Sequence, residues 1–170
     1  MIDWKDIRHG FKSQVLILAG IILLSGICNE IKAQEDPPRP PSVTLITNLS
    51  FGAFYSATGG SVTIDQYGAR SSVNVTLFSF GSVSAAHFNI YANAGTVINI
   101  LNIPDFQLTW SGYSMTVKAG NTNPQLPFVN TNPYSVPTEL TIGATLLVGT
   151  PAANPPGTYT GTFDVILVVE

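Results

Sequence analysis

Thr158-Tyr159-Thr160-Gly161-Thr162-Phe163-Asp164-Val165-Ile166-Leu167-Val168-Val169 decides the fold class. Tyr159, Gly161, Phe163, Val165, Leu167 and Val169 share one side of an extended chain, while Thr158, Thr160, Thr162 and Asp164 take the other. Period two with β-branched and aromatic residues is the pattern of a half-buried strand, and it is incompatible with a helix. Pro155-Pro156-Gly157 in front of it is a turn signal.

The same period recurs upstream. Val62 and Ile64 oppose Thr63 and Asp65, and Val73, Val75 and Leu77 alternate with Asn74 and Thr76. Ala86, Phe88 and Ile90 alternate with His87 and Asn89; Phe106, Leu108 and Trp110 alternate with Gln107 and Thr109, which places Trp110 in the core. Met115 and Val117 are flanked by Ser114, Thr116 and Lys118, and Leu140, Ile142, Ala144, Leu146 and Val148 form one apolar face of a long strand. Turn signals separate these runs at Gly59-Gly60, Tyr67-Gly68, Ala94-Gly95, Pro104-Asp105 and Ser111-Gly112. No stretch keeps a 3.6-residue period. The pattern predicts an all-β antiparallel sandwich of about 8–10 strands in two packed sheets, with a closed barrel as the alternative. Residues 121–137, rich in Pro and Asn, read as a long loop crossing one end.

The first 33 residues are of another kind. Lys5, Arg8 and Lys12 precede an apolar run from Val15 to Ile27, shorter than the roughly 20 residues that span a bilayer. Ile31-Lys32-Ala33 offers a cleavage site before Gln34, so residues 1–33 read as a signal helix that touches the membrane only before cleavage. An uncleaved anchor and a lipoprotein are the other readings; Ile27 stands where a lipobox wants a small residue before Cys28. Residues 34–42 form a proline-rich linker and 43–170 the sandwich. The expected location is the periplasm, the cell surface or the medium.

Charge excludes several functions. From Gln34 onward there are seven acids (Glu35, Asp36, Asp65, Asp105, Glu139, Asp164, Glu170) and three bases (Arg39, Arg70, Lys118). A nucleic-acid partner, which needs clustered cations, is not expected. The single cysteine, Cys28, lies in the leader, so the exported part has no thiol chemistry. His87 is its one histidine, too little for a transition-metal site and poor ground for a Ser-His-acid arrangement. Asp65, Asp105, Glu139 and Asp164 are scattered and suit turns better than a paired-carboxylate mechanism. Gly59-Gly60 lies between strands, so it is a hairpin turn and not a phosphate loop. No catalytic residue, cofactor or metal is expected. Tyr55, Tyr67, Tyr113 and Tyr134 fall near turns or in the long loop, where exposed rings would meet a glycan or a protein partner.

Several short motifs occur in a familiar order. They are Leu49-Ser50-Phe51-Gly52, Gly59-Gly60-Ser61-Val62-Thr63-Ile64, Ala86-His87-Phe88-Asn89-Ile90, Ser114-Met115-Thr116-Val117, and Pro156-Gly157-Thr158-Tyr159-Thr160-Gly161-Thr162-Phe163. Over roughly residues 45–170 the chain resembles the bacterial secreted family of domain of unknown function 4402 (DUF4402). The resemblance implies an immunoglobulin-like sandwich, distantly similar to pilus subunits and spore-coat-type secreted proteins, with no assigned reaction. Its signature here is Phe51, Gly52, Phe88, Met115, Gly157, Tyr159, Gly161 and Phe163. Tyr159 is expected to cap a neighbouring loop through its hydroxyl, and Gly161 to make room for Trp110 or Phe88. The loop at 121–137 departs from the family's glycine-rich connections.

The function expected is a non-catalytic structural or interaction domain whose partner is an envelope protein, a glycan or a further copy of the chain. The alternatives are a pilus-like subunit assembling by strand exchange, and a carbohydrate-binding or adhesive module. Strand exchange needs an incomplete fold and an apolar extension. The polar extension and a last strand that reads as complete weigh against it.

Overall fold

The computed structural model describes residues 39–101 and 103–169. The expected signal peptide and linker residues 34–38 lie outside the described residues. Within them the chain is all-β and antiparallel, as the alternation requires. Its strands are β1 (Ser42–Thr47), β2 (Ser50–Phe51), β3 (Phe54–Tyr55), β4 (Gly60–Ile64), β5 (Arg70–Val73), β6 (Thr76–Leu77), β7 (Val83–Ser84), β8 (Ala86–Tyr91), β9 (Val97–Ile100), β10 (Phe106–Trp110), β11 (Tyr113–Asn123), β12 (Phe128–Val129), β13 (Thr138–Val148) and β14 (Leu167–Val169).

β13 is the spine of a seven-stranded sheet. One of its edges carries β11 and then β10. The other carries two strands end to end: β8 beside Thr138–Ile142 and β4 beside Ala144–Val148. β1 lies outside β8, and β5 outside β4. Leu140, Ile142, Ala144, Leu146 and Val148 are all buried, as their spacing predicts. So are Val62 and Ile64, Ala86, Phe88 and Ile90, and Met115 and Val117 from the flanking strands.

Three small sheets cover this inner face: β12-β9-β14, β2-β7 and β3-β6. They divide the core. Ile98 packs with Phe88, Ile90, Leu140 and Ile142, supported by Phe128, Phe163, Val165 and Leu167. Phe51 and Val75 pack with Val62, Ile64, Met115, Val117 and Leu146, supported by Phe54, Leu77 and Tyr159. Leu49 touches both clusters.

Four expectations are corrected. The run 73–77 is not one strand: Asn74 takes φ 57°, which ends β5, leaves Val73 exposed, buries Val75 and redirects Thr76–Leu77 onto β3. The segment 121–137 is not one loop, because β11 runs on to Asn123 and β12 pairs with β9. Trp110 is exposed, because it ends β10 and the two-residue turn Ser111-Gly112 (φ 47° and 86°) begins right behind it. Last, the stretch that announced the fold forms a ladder only over Leu167–Val169, against β9. Upstream, Thr160 and Thr109 exchange backbone bonds of 2.8 and 3.1 Å, and Leu101 N–H donates to Ile166 O at 2.9 Å. Among the described residues, no backbone bond joins Gly161–Val165 to another strand. The alternation itself holds, with Tyr159, Phe163, Val165 and Leu167 turned inward.

Candidate functional site

The segment 157–163 crosses from the edge of β10 towards β9 with no backbone partner on its other side among the described residues, and there the covering layer is open. An apolar groove of about 840 Å³ runs between this segment, residues 48–54 and Gly81-Ser82. Its floor is the inner face of the large sheet at Phe88, Leu108, Met115 and Leu146, and its walls carry Phe51, Phe54, Phe106 and Phe163. Leu45 of β1 stands at the lining too.

Each wall has its own fastening. Arg70, alone in a stretch otherwise poor in charge, reaches from β5 under the opposite rim. Its Nη1 donates to Phe51 O at 3.1 Å and Ala53 O at 3.4 Å, and its Nη2 to Phe78 O at 2.5 Å. Gly52, at φ 68°, lies against that guanidinium, so a Cβ here would meet Arg70 Nη1 at 2.4 Å. Ser50 Oγ donates to Ser82 O at 2.7 Å and Ser84 Oγ to Asn48 O at 2.7 Å, pinning the two sides of the same rim. On the far wall Gly161 permits contact with β10: a Cβ there would stand 2.2 Å from Gln107 O. Its neighbours are thus Gln107 and Leu108; Gly157 is the glycine that lies beneath Trp110. Tyr159 donates from its hydroxyl to Pro155 O at 3.0 Å, the loop cap its position predicted.

β1 is the free side of the site. Among the described residues it pairs with β8 alone, with a bulge between Leu45 and Thr47, and all six of its residues are exposed. Val43, Leu45 and Ile46 are 37%, 51% and 51% exposed, and no charged residue or proline interrupts Ser42–Thr47. Edge strands are commonly blunted by such residues, because their unpaired N–H and C=O groups invite another strand. The entry to β1 is held in place: Tyr134 Oη donates to Pro40 O at 3.2 Å, Asn93 Nδ2 to Arg39 O at 3.3 Å, and the Arg39 guanidinium lies 5.4 Å from the Tyr134 ring centroid.

The predicted tyrosines do not form one site. Tyr55, on β3, and Tyr67, on the turn after β4, are exposed and apart, and Tyr134 is spent on Pro40 and on Tyr91, 6.3 Å away. Tyr113 stacks with Trp110 at 6.4 Å, both exposed, and Tyr159 lies 6.0 Å from the Trp110 ring. His87 is on the outer face between Thr47 and Thr141, with Glu139 3.8 Å from its Nε2. Asp65 holds a turn, its Oδ1 accepting from the N–H groups of Tyr67 and Ala69 at 2.9 and 2.8 Å. Among the described residues no three His, Cys, Asp or Glu gather to hold a metal ion.

Sequence reasoning missed Asn130, buried beneath the loop that follows β12. Its Nδ2 donates to Ala92 O, Asn93 O and Asn132 O at 2.7, 3.2 and 2.9 Å, and its Oδ1 accepts from Thr138 Oγ1 at 2.6 Å. This network fixes the loop that carries Tyr134 and, through it, the start of β1.

The family model described as "Domain of unknown function (DUF4402)" matches residues 42–168, from the first residue of β1 into β14. The chain belongs to this family. The match spans the groove, its walls and the β1 edge, so the whole candidate site lies within the DUF4402 domain. No curated protein and no solved structure matches the chain.

Proposed function

We propose that this DUF4402 chain is an exported, non-catalytic interaction domain of the bacterial cell envelope, and that it binds an extended segment of a partner by strand addition. The observation that carries the reading is the continuity of two features: an uncharged, exposed strand edge at β1, and an apolar groove that begins at Leu45 of that strand. A strand laid along β1 would bond to its free backbone groups and point every second side chain towards the groove. Its main-chain bonds would supply affinity, and the groove would choose the apolar side chains. The volume suits a few such side chains and lies in the range of ordinary ligand sites.

Export is supported by the basic n-region, the short apolar run and the small residue at Ala33. A distant likeness to pilus subunits would fit the open covering layer, where among the described residues no backbone bond joins 161–165 to another strand.

The test is calorimetric titration of the protein with a capped peptide of alternating threonine and valine, against the same peptide with a central proline. Binding of the first and not the second is expected. Equal heats for both, or none for either, would overturn the proposal.

A second reading has its own observation. Trp110 and Tyr113 form an exposed aromatic surface at the end of β10 and β11, of the kind on which hexose rings stack. Tryptophan fluorescence that responds to a member of a glycan panel, and not in Tyr113→Ala, would favour this carbohydrate-binding reading.

A further inference from the structure

We infer that the strand added at β1 is β1 of a second copy, so that two chains join their large sheets through an antiparallel β1–β1 pair. This rests on the strand-addition reading above and names its partner.

The site asks for an extended, uncharged segment with one free edge and apolar residues at every second position. Ser42-Val43-Thr44-Leu45-Ile46-Thr47 is itself such a segment. Val43 and Leu45 are 37% and 51% exposed on the inner face, where β8 sets them beside Ile90 and Phe88. Symmetry then fixes the register. A two-fold axis perpendicular to the sheet makes the strands antiparallel and keeps both inner faces on the same side. Directly opposed residues share a face, so the axis must pass through a residue pair. Pro40 and Pro41 lack N–H donors and end the edge before Ser42, and the bulge after Leu45 ends it at the other side. An axis at Thr44 places Val43 of each copy opposite Leu45 of the other within that window, and no like charges meet. Such an isologous contact closes on itself as a dimer.

The contact is short, well below the roughly 1,200 Å² of a stable specific interface, so the dimer is weak and concentration-dependent. Sedimentation velocity over a concentration series of the exported protein should show a reversible monomer–dimer equilibrium. Leu45→Lys, at a position already exposed, should leave the thermal unfolding unchanged. Its two symmetry-related pairs should weaken association by about tenfold. In a Cys28→Ser background, Thr44→Cys should be joined into dimers by a short thiol crosslinker much faster than Ser71→Cys on β5, because opposed Cβ atoms lie about 5 Å apart across such a pair.

A single monomeric mass at every concentration would overturn the inference, as would crosslinking no faster at position 44 than at 71. If the chain is monomeric and the threonine–valine peptide binds, the second copy is wrong while strand addition stands. If neither the peptide nor a second copy binds, both readings fall.

Discussion

Replacing Arg70 by Ala removes the tie that holds the groove's rim. The guanidinium serves three carbonyls from two separate segments, those of Phe51 and Ala53 on one and Phe78 on the other. Two of these bonds are partly buried and the third is at the surface. Hydrogen bonds to a charged donor contribute about 1.5–3 kcal/mol each when desolvated, and less where water can replace the donor. Counting the two partly buried bonds near the lower figure and the exposed one near zero gives a loss of about 3 kcal/mol. For a domain of this size that corresponds to a fall in Tm of roughly 8–15 °C. Arg70→Lys should recover little of it, since an ammonium group is a point donor and cannot fork across two segments. The assay is urea unfolding at equilibrium with amide hydrogen exchange read in parallel. Global stability should fall by the stated amount, and protection should be lost first at Ala53 and Phe78, whose backbone bonds to Phe80 and to each other hold the same rim. A loss within about 0.5 kcal/mol, the range of an ordinary surface change, would refute the reasoning.

Other perturbations follow the same logic. Gly161→Val would set a Cβ 2.2 Å from Gln107 O, so the segment must leave β10; the amides of Thr109 and Thr160 should lose exchange protection while those of β13 keep it. Asn130→Ala would strand the carbonyls of Ala92 and Asn93 and should cost about 2–4 kcal/mol, measured by denaturant unfolding. Leu140→Ala empties a fully buried position against Phe88 and Ile98 and should cost about 2–5 kcal/mol, whereas Leu45→Ala on exposed β1 should cost well under 1 kcal/mol.

Much of this architecture is written in the alternation. The β13 face from Leu140 to Val148 and the β8 face from Ala86 to Ile90 were legible because a strand buried on one side needs apolar residues at every second position and little else. The C-terminal stretch shows the limit of that signal. Tyr159, Phe163, Val165 and Leu167 do turn inward, yet period two reports which side of a chain is buried and not which neighbour accepts its hydrogen bonds. Asn74 shows another limit, because one residue at positive φ exchanges the faces of Val73 and Val75 with no change in the pattern. Asn130 was invisible because its role depends on carbonyls from the distant Ala92 and Asn93. Of the groove, the sequence supplied the lining, with Phe51, Phe88, Met115 and Phe163 singled out, but not the opening. That arises where Gly161 lets the last segment lean on β10 and where Arg70 draws residues 51–53 the other way. The tyrosines misled for a related reason: exposure near turns says nothing about convergence, and Tyr55, Tyr67 and Tyr113 face different parts of the surface while Tyr134 holds Pro40.

The most direct test of strand addition is amide hydrogen exchange across Ser42–Thr47, recorded with and without the alternating threonine–valine peptide. The site described here predicts that every second amide of β1 gains protection and that methyl signals of Leu45, Leu108 and Met115 shift together. Unchanged exchange at β1, or shifts confined to Trp110 and Tyr113, would contradict it.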